Sequence, residues 1–162
     1  MTRFCVLTLA LFSAFVLPKS AEASELNWDP SESAWVGPHW NMHFGAEHTE
    51  YSIGLEASYW RPLDPNGRGI REVLAVGADV GIEYNWTKDK WVSYGEFQAG
   101  FGLVGASIGL VIDPDFGSGV QVSTWANYIV GAMYRYRSFS DPSTHRESSF
   151  GIFGKAPFYS AD

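Results

Sequence analysis

The chain has 162 residues, of which 18 are Asp or Glu and 11 are Lys or Arg, so its formal net charge is −7. This acidic balance argues against contact with a phosphate backbone, and we expect no nucleic-acid partner. The 17 glycines and the aromatic content of 16% favour β-structure with tight turns over a helical bundle.

The first residues have the layout of a secretory signal peptide. Arg3 precedes an apolar run from Phe4 to Leu17, and Ala21-Glu22-Ala23 supplies a small-x-small cleavage pattern. The run is too short to cross a bilayer as a helix. Its Cys5 is the only cysteine, so the mature chain would contain no thiol and no disulfide. We predict a signal peptide at 1–23, an irregular N-terminal segment at 24–38 and a single β-barrel domain at 39–162.

Alternation of apolar and polar residues is the dominant pattern after this leader. From Leu74 to Trp86 the even positions are apolar or aromatic, whereas the odd positions are small or polar and include Asp79 and Glu83. Similar alternation recurs in Tyr51–Tyr59, in Phe97–Leu103 and, as one segment, in Val120–Tyr136. The phase reverses near Gly105, which requires a tight turn or a bulge. We therefore predict an all-β fold, an antiparallel up-and-down β-barrel of six to eight strands.

Alternation alone leaves open which face meets water. The apolar face lies inside a soluble barrel but faces lipid in a membrane barrel. Here the polar face consists of Gly, Ser, Asn, Gln and a few charges with almost no Lys, which suits a narrow interior. Charges on this face can pair by sign, and we predict an interior ion network of Glu56, Asp79, Glu83, Glu96, Arg135 and Arg137. Aromatic residues at strand ends predict a girdle at the lipid interfaces: Tyr59, Trp60, Tyr84, Trp86, Trp91, Tyr134 and Tyr136.

Between Trp40 and Tyr159 this alternation, with its aromatic girdles, resembles the small outer-membrane β-barrel proteins of Gram-negative bacteria. The resemblance implies an exported integral outer-membrane protein whose partner is membrane lipid. Six to eight strands leave an interior that side chains fill, so we expect a structural or surface-interaction role and no open pore. An extracellular partner would meet the loops at 61–69 and 138–146.

The competing hypothesis is a soluble β-barrel, periplasmic or secreted, that binds a small lipophilic ligand. Its apolar lumen would be lined by Trp125, Phe97 and Phe101. The two hypotheses differ in which face meets solvent, because Glu83 and Arg135 would point outward in a soluble barrel and inward in a membrane barrel.

No motif for a cofactor, a metal or a known catalytic class occurs, and we expect no cofactor, no metal site and no enzyme activity. His39, His43 and Glu47 share a face, but the two histidines lie too far apart along an extended strand to bind one ion. Asp113 and Asp115 offer oxygen ligands for calcium, but a plain Asp-Pro turn is the preferred interpretation of this segment.

A lesser alternative is a lipid-modifying outer-membrane enzyme. Such an enzyme would need a histidine, a serine and an acid that converge. The first candidates by proximity in the sequence are His145, Glu147 and Ser148, although His145 and Ser148 fall on opposite faces if one strand runs through both.

Overall fold

The computed structural model describes residues 32–44, 49–63, 74–127, 130–140 and 145–160. The predicted signal peptide at 1–23 lies outside these ranges, as do Glu47, residues 64–69 of the loop at 61–69 and residues 141–144 of the loop at 138–146. The described chain is all-β and forms a closed antiparallel barrel of eight strands without helices, which confirms the predicted fold class. Within these ranges no helix is long and apolar enough to cross a membrane.

Each strand pairs with the next along the chain, and the first strand pairs with the last, which closes the barrel. The strands are β1 (Ser33–Phe44), β2 (Thr49–Pro62), β3 (Leu74–Asn85), β4 (Lys90–Phe101), β5 (Val104–Asp113), β6 (Gly117–Asn127), β7 (Val130–Phe139), β8 (Arg146–Gly154) and β9 (Ala156–Ser160). β9 continues β8 along β1, so the two segments together form the eighth strand of the barrel.

The break between β8 and β9 lies opposite Gly37 and Pro38 of β1. Pairing with β1 stops at Phe153 and resumes at Ala156 without a change of register. Proline has no amide hydrogen to donate to a neighbouring strand. Gly37 permits a close approach, because a Cβ at this position would lie 1.8 Å from the carbonyl oxygen of Gly154. The barrel therefore closes at a seam where backbone pairing is incomplete.

The first strand is longer than the sequence indicated. β1 begins at Ser33, so the prediction of an irregular segment at 24–38 is wrong for its last six residues. Pro38 lies within this strand at the seam, where a missing amide hydrogen is tolerated.

Two hairpin connections explain the phase of the alternation. Phe101 and Val104 both face outward around the turn Gly102-Leu103, in which Gly102 has a φ of +60°, and this turn causes the predicted phase reversal. The predicted uninterrupted segment Val120–Tyr136 is wrong, since it divides into β6 and β7 at residues 128–129. Asn127 and Val130 lie on opposite faces, so this connection preserves the phase and is invisible to alternation.

The connections divide between two ends of the barrel. One end of the barrel, end A, carries the connections at 45–48, 86–89, 114–116 and 140–145. The opposite end, end B, carries the start of β1, the end of β9 and the connections at 64–73, 102–103 and 128–129. Pro62 lies at end B and Ser138 at end A, so the two loops predicted to meet one partner emerge from opposite ends.

The barrel is polar inside and apolar outside. Among the described residues, 21 polar or charged side chains are buried against 7 apolar ones, while 25 large apolar or aromatic side chains are exposed. Glu83 and Arg135 are fully buried in the interior. Of the three residues expected to line an apolar lumen, Trp125 has the inward parity, but Phe97 and Phe101 point outward with 76% and 55% exposure. The expectation of a lumen lined by these three residues is therefore wrong for the described barrel.

We expect Gly37→Ala to destabilise the folded barrel by about 1–3 kcal/mol, because the new methyl group overlaps the backbone of the seam. The matched control is Gly95→Ala, whose Cβ would have only ordinary contacts at 3.8 Å. Urea unfolding in detergent, followed by tryptophan fluorescence, measures both variants. Equal midpoints for the two variants would contradict a tight seam.

Candidate functional site

Ionic side chains from most strands of the barrel meet in its interior. Buried carboxylates outnumber the Lys and Arg side chains that face them by seven to five: Glu50, Glu56, Asp79, Glu83, Glu96, Asp113 and Glu147 against Lys88, Lys90, Arg135, Arg137 and Lys155. A buried ion that lacks a partner costs several kcal/mol, so the pairing of these groups determines whether the barrel is stable.

Glu83 of β3 is the centre of this network. Its carboxylate accepts a hydrogen bond from Asn41 Nδ2 at 3.0 Å and lies 3.4 Å from His39 Nε2. From the other side of the barrel, Arg137 Nη1 donates to it and Arg135 Nη1 lies 3.5 Å away. Glu83 thus connects three strands, β1, β3 and β7, that are not neighbours in the sheet.

A second group forms around Glu56 of β2. Lys155 Nζ lies 2.9 Å from Glu56 Oε1 and 2.9 Å from Asp79 Oδ2. Tyr94 donates its hydroxyl hydrogen to Glu56 at 2.8 Å, and the Arg135 guanidinium stacks over the Tyr94 ring at 4.3 Å. Sequence reasoning missed Lys155, although it shares the inward parity of Gly151 and Phe153 on the preceding strand.

The structure brings five of the six predicted network residues into ion pairs and leaves Glu96 among neutral donors. Gln121 Nε2 and Ser123 Oγ each donate to Glu96 Oε1 at 2.7 Å. Glu96 lies directly opposite Asp79 on the neighbouring strand, so two carboxylates adjoin at this level of the barrel.

Three side chains from different strands form a hydrogen-bonded chain near end A. Glu147 Oε1 lies 2.7 Å from His43 Nδ1, and Ser52 Oγ lies 2.7 Å from His43 Nε2. All three side chains are buried. The other two residues suspected with Glu147 lie apart from it: Ser148 accepts a hydrogen bond from Tyr134 at 3.0 Å, and the His145 ring stacks on Phe116 at 3.8 Å.

The two aspartates considered for calcium already bind a cation of the protein itself. Lys90 Nζ lies 2.8 Å from Asp113 and 2.9 Å from Asp115, and the Asp115 amide donates to Asp113 at 2.9 Å. In the described part of the chain no group of three or more His, Cys, Asp or Glu side chains is arranged to hold a metal ion.

The outer aromatic residues are concentrated near end A. Tyr84 packs against Trp91 with ring centres 5.1 Å apart, and Trp86 stacks on Tyr51 at 6.3 Å. Among the other predicted girdle residues, Tyr134 and Tyr136 also face outward along β7, and Tyr59 faces outward toward end B.

Trp60 does not belong to the outer girdle, so its assignment there is wrong. It has the inward parity of β2, and its ring meets Trp125 edge-on at 5.5 Å near end B. The prediction assigned Trp60 to the girdle as an aromatic residue at a strand end, whereas its position in the alternation of β2 identifies the face.

The chain matches no protein-family model, no curated protein and no solved structure. The arrangement of its own side chains is therefore the basis for a functional hypothesis.

We expect Arg137→Met to destabilise the barrel by about 3–5 kcal/mol, because it leaves Glu83 and Glu147 with less positive charge in a buried site. Arg61→Met is the matched control, since Arg61 forms an exposed pair with Glu32 at 3.5 Å and its loss should cost about 0–1 kcal/mol. Equilibrium unfolding in detergent gives both values. Similar losses for the two variants would contradict the central role of the interior network.

Proposed function

We propose that this protein is an exported, integral outer-membrane β-barrel with a structural or surface-interaction role. The observation that carries the proposal is the distribution of polarity, with ions inside and exposed apolar side chains outside. In water such an exterior would be an extensive aggregation-prone surface, whereas lipid would cover it.

Strand length and the position of the aromatic residues support the same proposal. Transmembrane β-strands need about 9–11 residues when they are tilted. β1 to β7 each have between 10 and 14 residues, and β8 with β9 provides a comparable span. The row of Tyr51, Tyr84, Trp86 and Trp91 near end A suits an interface between lipid tails and headgroups.

The filled interior favours a role other than solute transport. Network side chains from opposite walls contact each other across the barrel axis, as Glu83 and Arg137 do. Because the flanks of the loops at 61–69 and 138–146 lie at opposite ends, only one of these loops could face an extracellular partner.

The first test is whether the mature chain behaves as a membrane barrel. We expect it to need detergent to remain dispersed and, when folded, to migrate faster on an SDS gel before boiling than after it. Dispersion as a monodisperse species in plain buffer, without a heat-dependent shift, would contradict the proposal.

A charge on the outer surface distinguishes lipid from water as its surroundings. Phe97→Arg should destabilise the barrel in lipid vesicles by about 2–4 kcal/mol, because Phe97 lies on the exposed face within β4. Leu63→Arg, an exposed position at end B just beyond β2, should cost only about 0–1 kcal/mol. If Phe97→Arg were neutral or stabilising in vesicles, the outer face would not contact lipid.

A further inference from the structure

The hydrogen-bonded chain near end A has the atom order of a nucleophilic catalytic triad. Glu147 contacts Nδ1 of His43, and Ser52 contacts Nε2 of the same ring, each at 2.7 Å. In a triad the acid holds one ring nitrogen, and the other nitrogen accepts the proton of the serine. These residues come from β8, β1 and β2, so the arrangement exists only in the closed barrel.

We propose that Ser52, His43 and Glu147 form a nucleophilic site for the hydrolysis of small carboxylic esters, with Ser52 as the nucleophile and His43 as the general base. This inference goes beyond the proposed function, because a structural barrel does not require an activated serine. Glu147 is a positioning residue that orients His43 and stabilises its protonated form.

The reaction follows from the observed contacts. Ser52 Oγ attacks the carbonyl carbon, and its proton moves to His43 Nε2. The tetrahedral intermediate then expels the alkoxide, which takes this proton and leaves as an alcohol. Water attacks the resulting acyl-serine while His43 accepts a proton from it, and collapse releases the carboxylic acid and restores Ser52. The sum is ester plus water to acid plus alcohol.

Charges around His43 fit the formation of an imidazolium ion in this reaction. Glu83 Oε1 lies 3.8 Å from Nε2 and adds a second carboxylate to that of Glu147. Arg137 Nη1 contacts both carboxylates, so neither depends on His43 alone for a positive partner. Nη2 of Arg137 is buried and has no hydrogen-bond partner, which leaves a donor available for negative charge in this cluster.

The depth of Ser52 limits the size of the substrate. Glu50, the next inward residue of β2 toward end A, accepts hydrogen bonds from Asn85 Nδ2 and Lys88 Nζ, both at 2.7 Å. The Lys88 side chain is partly exposed at the turn 86–89. A substrate that enters from end A must displace these polar contacts, so a compact ester fits the site better than a large one.

The experiment uses the folded, full-length mature barrel in detergent and diisopropyl fluorophosphate, a compact reagent. Ser52 Oγ would attack phosphorus, pass its proton to His43 and displace fluoride. This leaves a stable diisopropylphosphoryl ester on Ser52, which mass spectrometry of peptides locates. The matched control is Ser149→Ala, because Ser149 is also buried and pairs with His43 in the sheet but has no hydrogen-bond partner. The heat-dependent gel shift confirms the fold of every sample.

We expect the label on Ser52 in the wild type and in Ser149→Ala, and no label at this position in Ser52→Ala. His43→Gln should slow labelling about 100-fold or more. Glu147→Gln should slow it as well, and Glu147→Asp should restore part of the rate, which a purely structural carboxylate would not do. Hydrolysis of p-nitrophenyl acetate should follow the same order.

Two results would overturn the inference. One is a folded wild-type barrel that remains unlabelled at Ser52, and the other is labelling of Ser52 at a rate that His43→Gln leaves unchanged. Either result leaves the membrane proposal intact, since the gel shift and the need for detergent are measured on the same samples.

Discussion

The fold depends on the pairing of ions across a narrow interior. Glu83 extends from β3 to contact the guanidinium groups of Arg135 and Arg137 on β7 and the polar side chains of β1. These strands share no backbone hydrogen bonds, so side chains alone connect the opposite walls. In most domains apolar packing performs this task, but the apolar side chains of this barrel are largely on its outer surface.

The same network specifies the register of the strands. A slip by one residue would move every inward ion of a strand to the outer face and bring its aromatic residues inside. Glu83, for example, would exchange places with Ile82 or Tyr84, both of which face outward. Such a slip would leave the arginines of β7 buried without a carboxylate partner. The ionic contacts therefore select one register even where backbone pairing tolerates several.

Alternation was sufficient to predict the two faces of the strands, because a side chain points to one side or the other by simple parity. It placed Glu56, Asp79 and Arg135 on the polar face, and the structure puts them inside. Parity has no information about which residues meet across the axis. The contact of Lys155 with Asp79 spans 76 positions, and that of Glu147 with His43 spans 104.

The errors of sequence reasoning also have physical causes. A two-residue connection can preserve or reverse the phase of the apolar–polar alternation, depending on the faces of the residues that flank it. The alternation therefore ran on through β6 and β7 as if they were one strand, whereas it reversed at the turn after Phe101. Trp60 was assigned by residue type, yet a ring at the end of a strand can cover the interior instead of facing outward. Proximity along the chain suggested Ser148 as the partner of His145, but Ser148 faces outward on β8.

The two ends of the barrel differ in chemistry, and this difference bears on where a ligand could enter. Near end B the rings of Trp60 and Trp125 meet inside the barrel, next to the buried side chain of Met133. At end A, polar contacts such as Lys88 with Glu50 cover the interior beside β2 and β3, whereas Phe116 and Phe139 pack together beside β5 and β7. Moving an ammonium group from a carboxylate into water exchanges one polar contact for others, whereas opening the tryptophan pair exposes apolar surface. Beside β2 and β3 the barrier to entry is therefore lower at end A than at end B, and this is the side of the barrel where Ser52 and His43 are found.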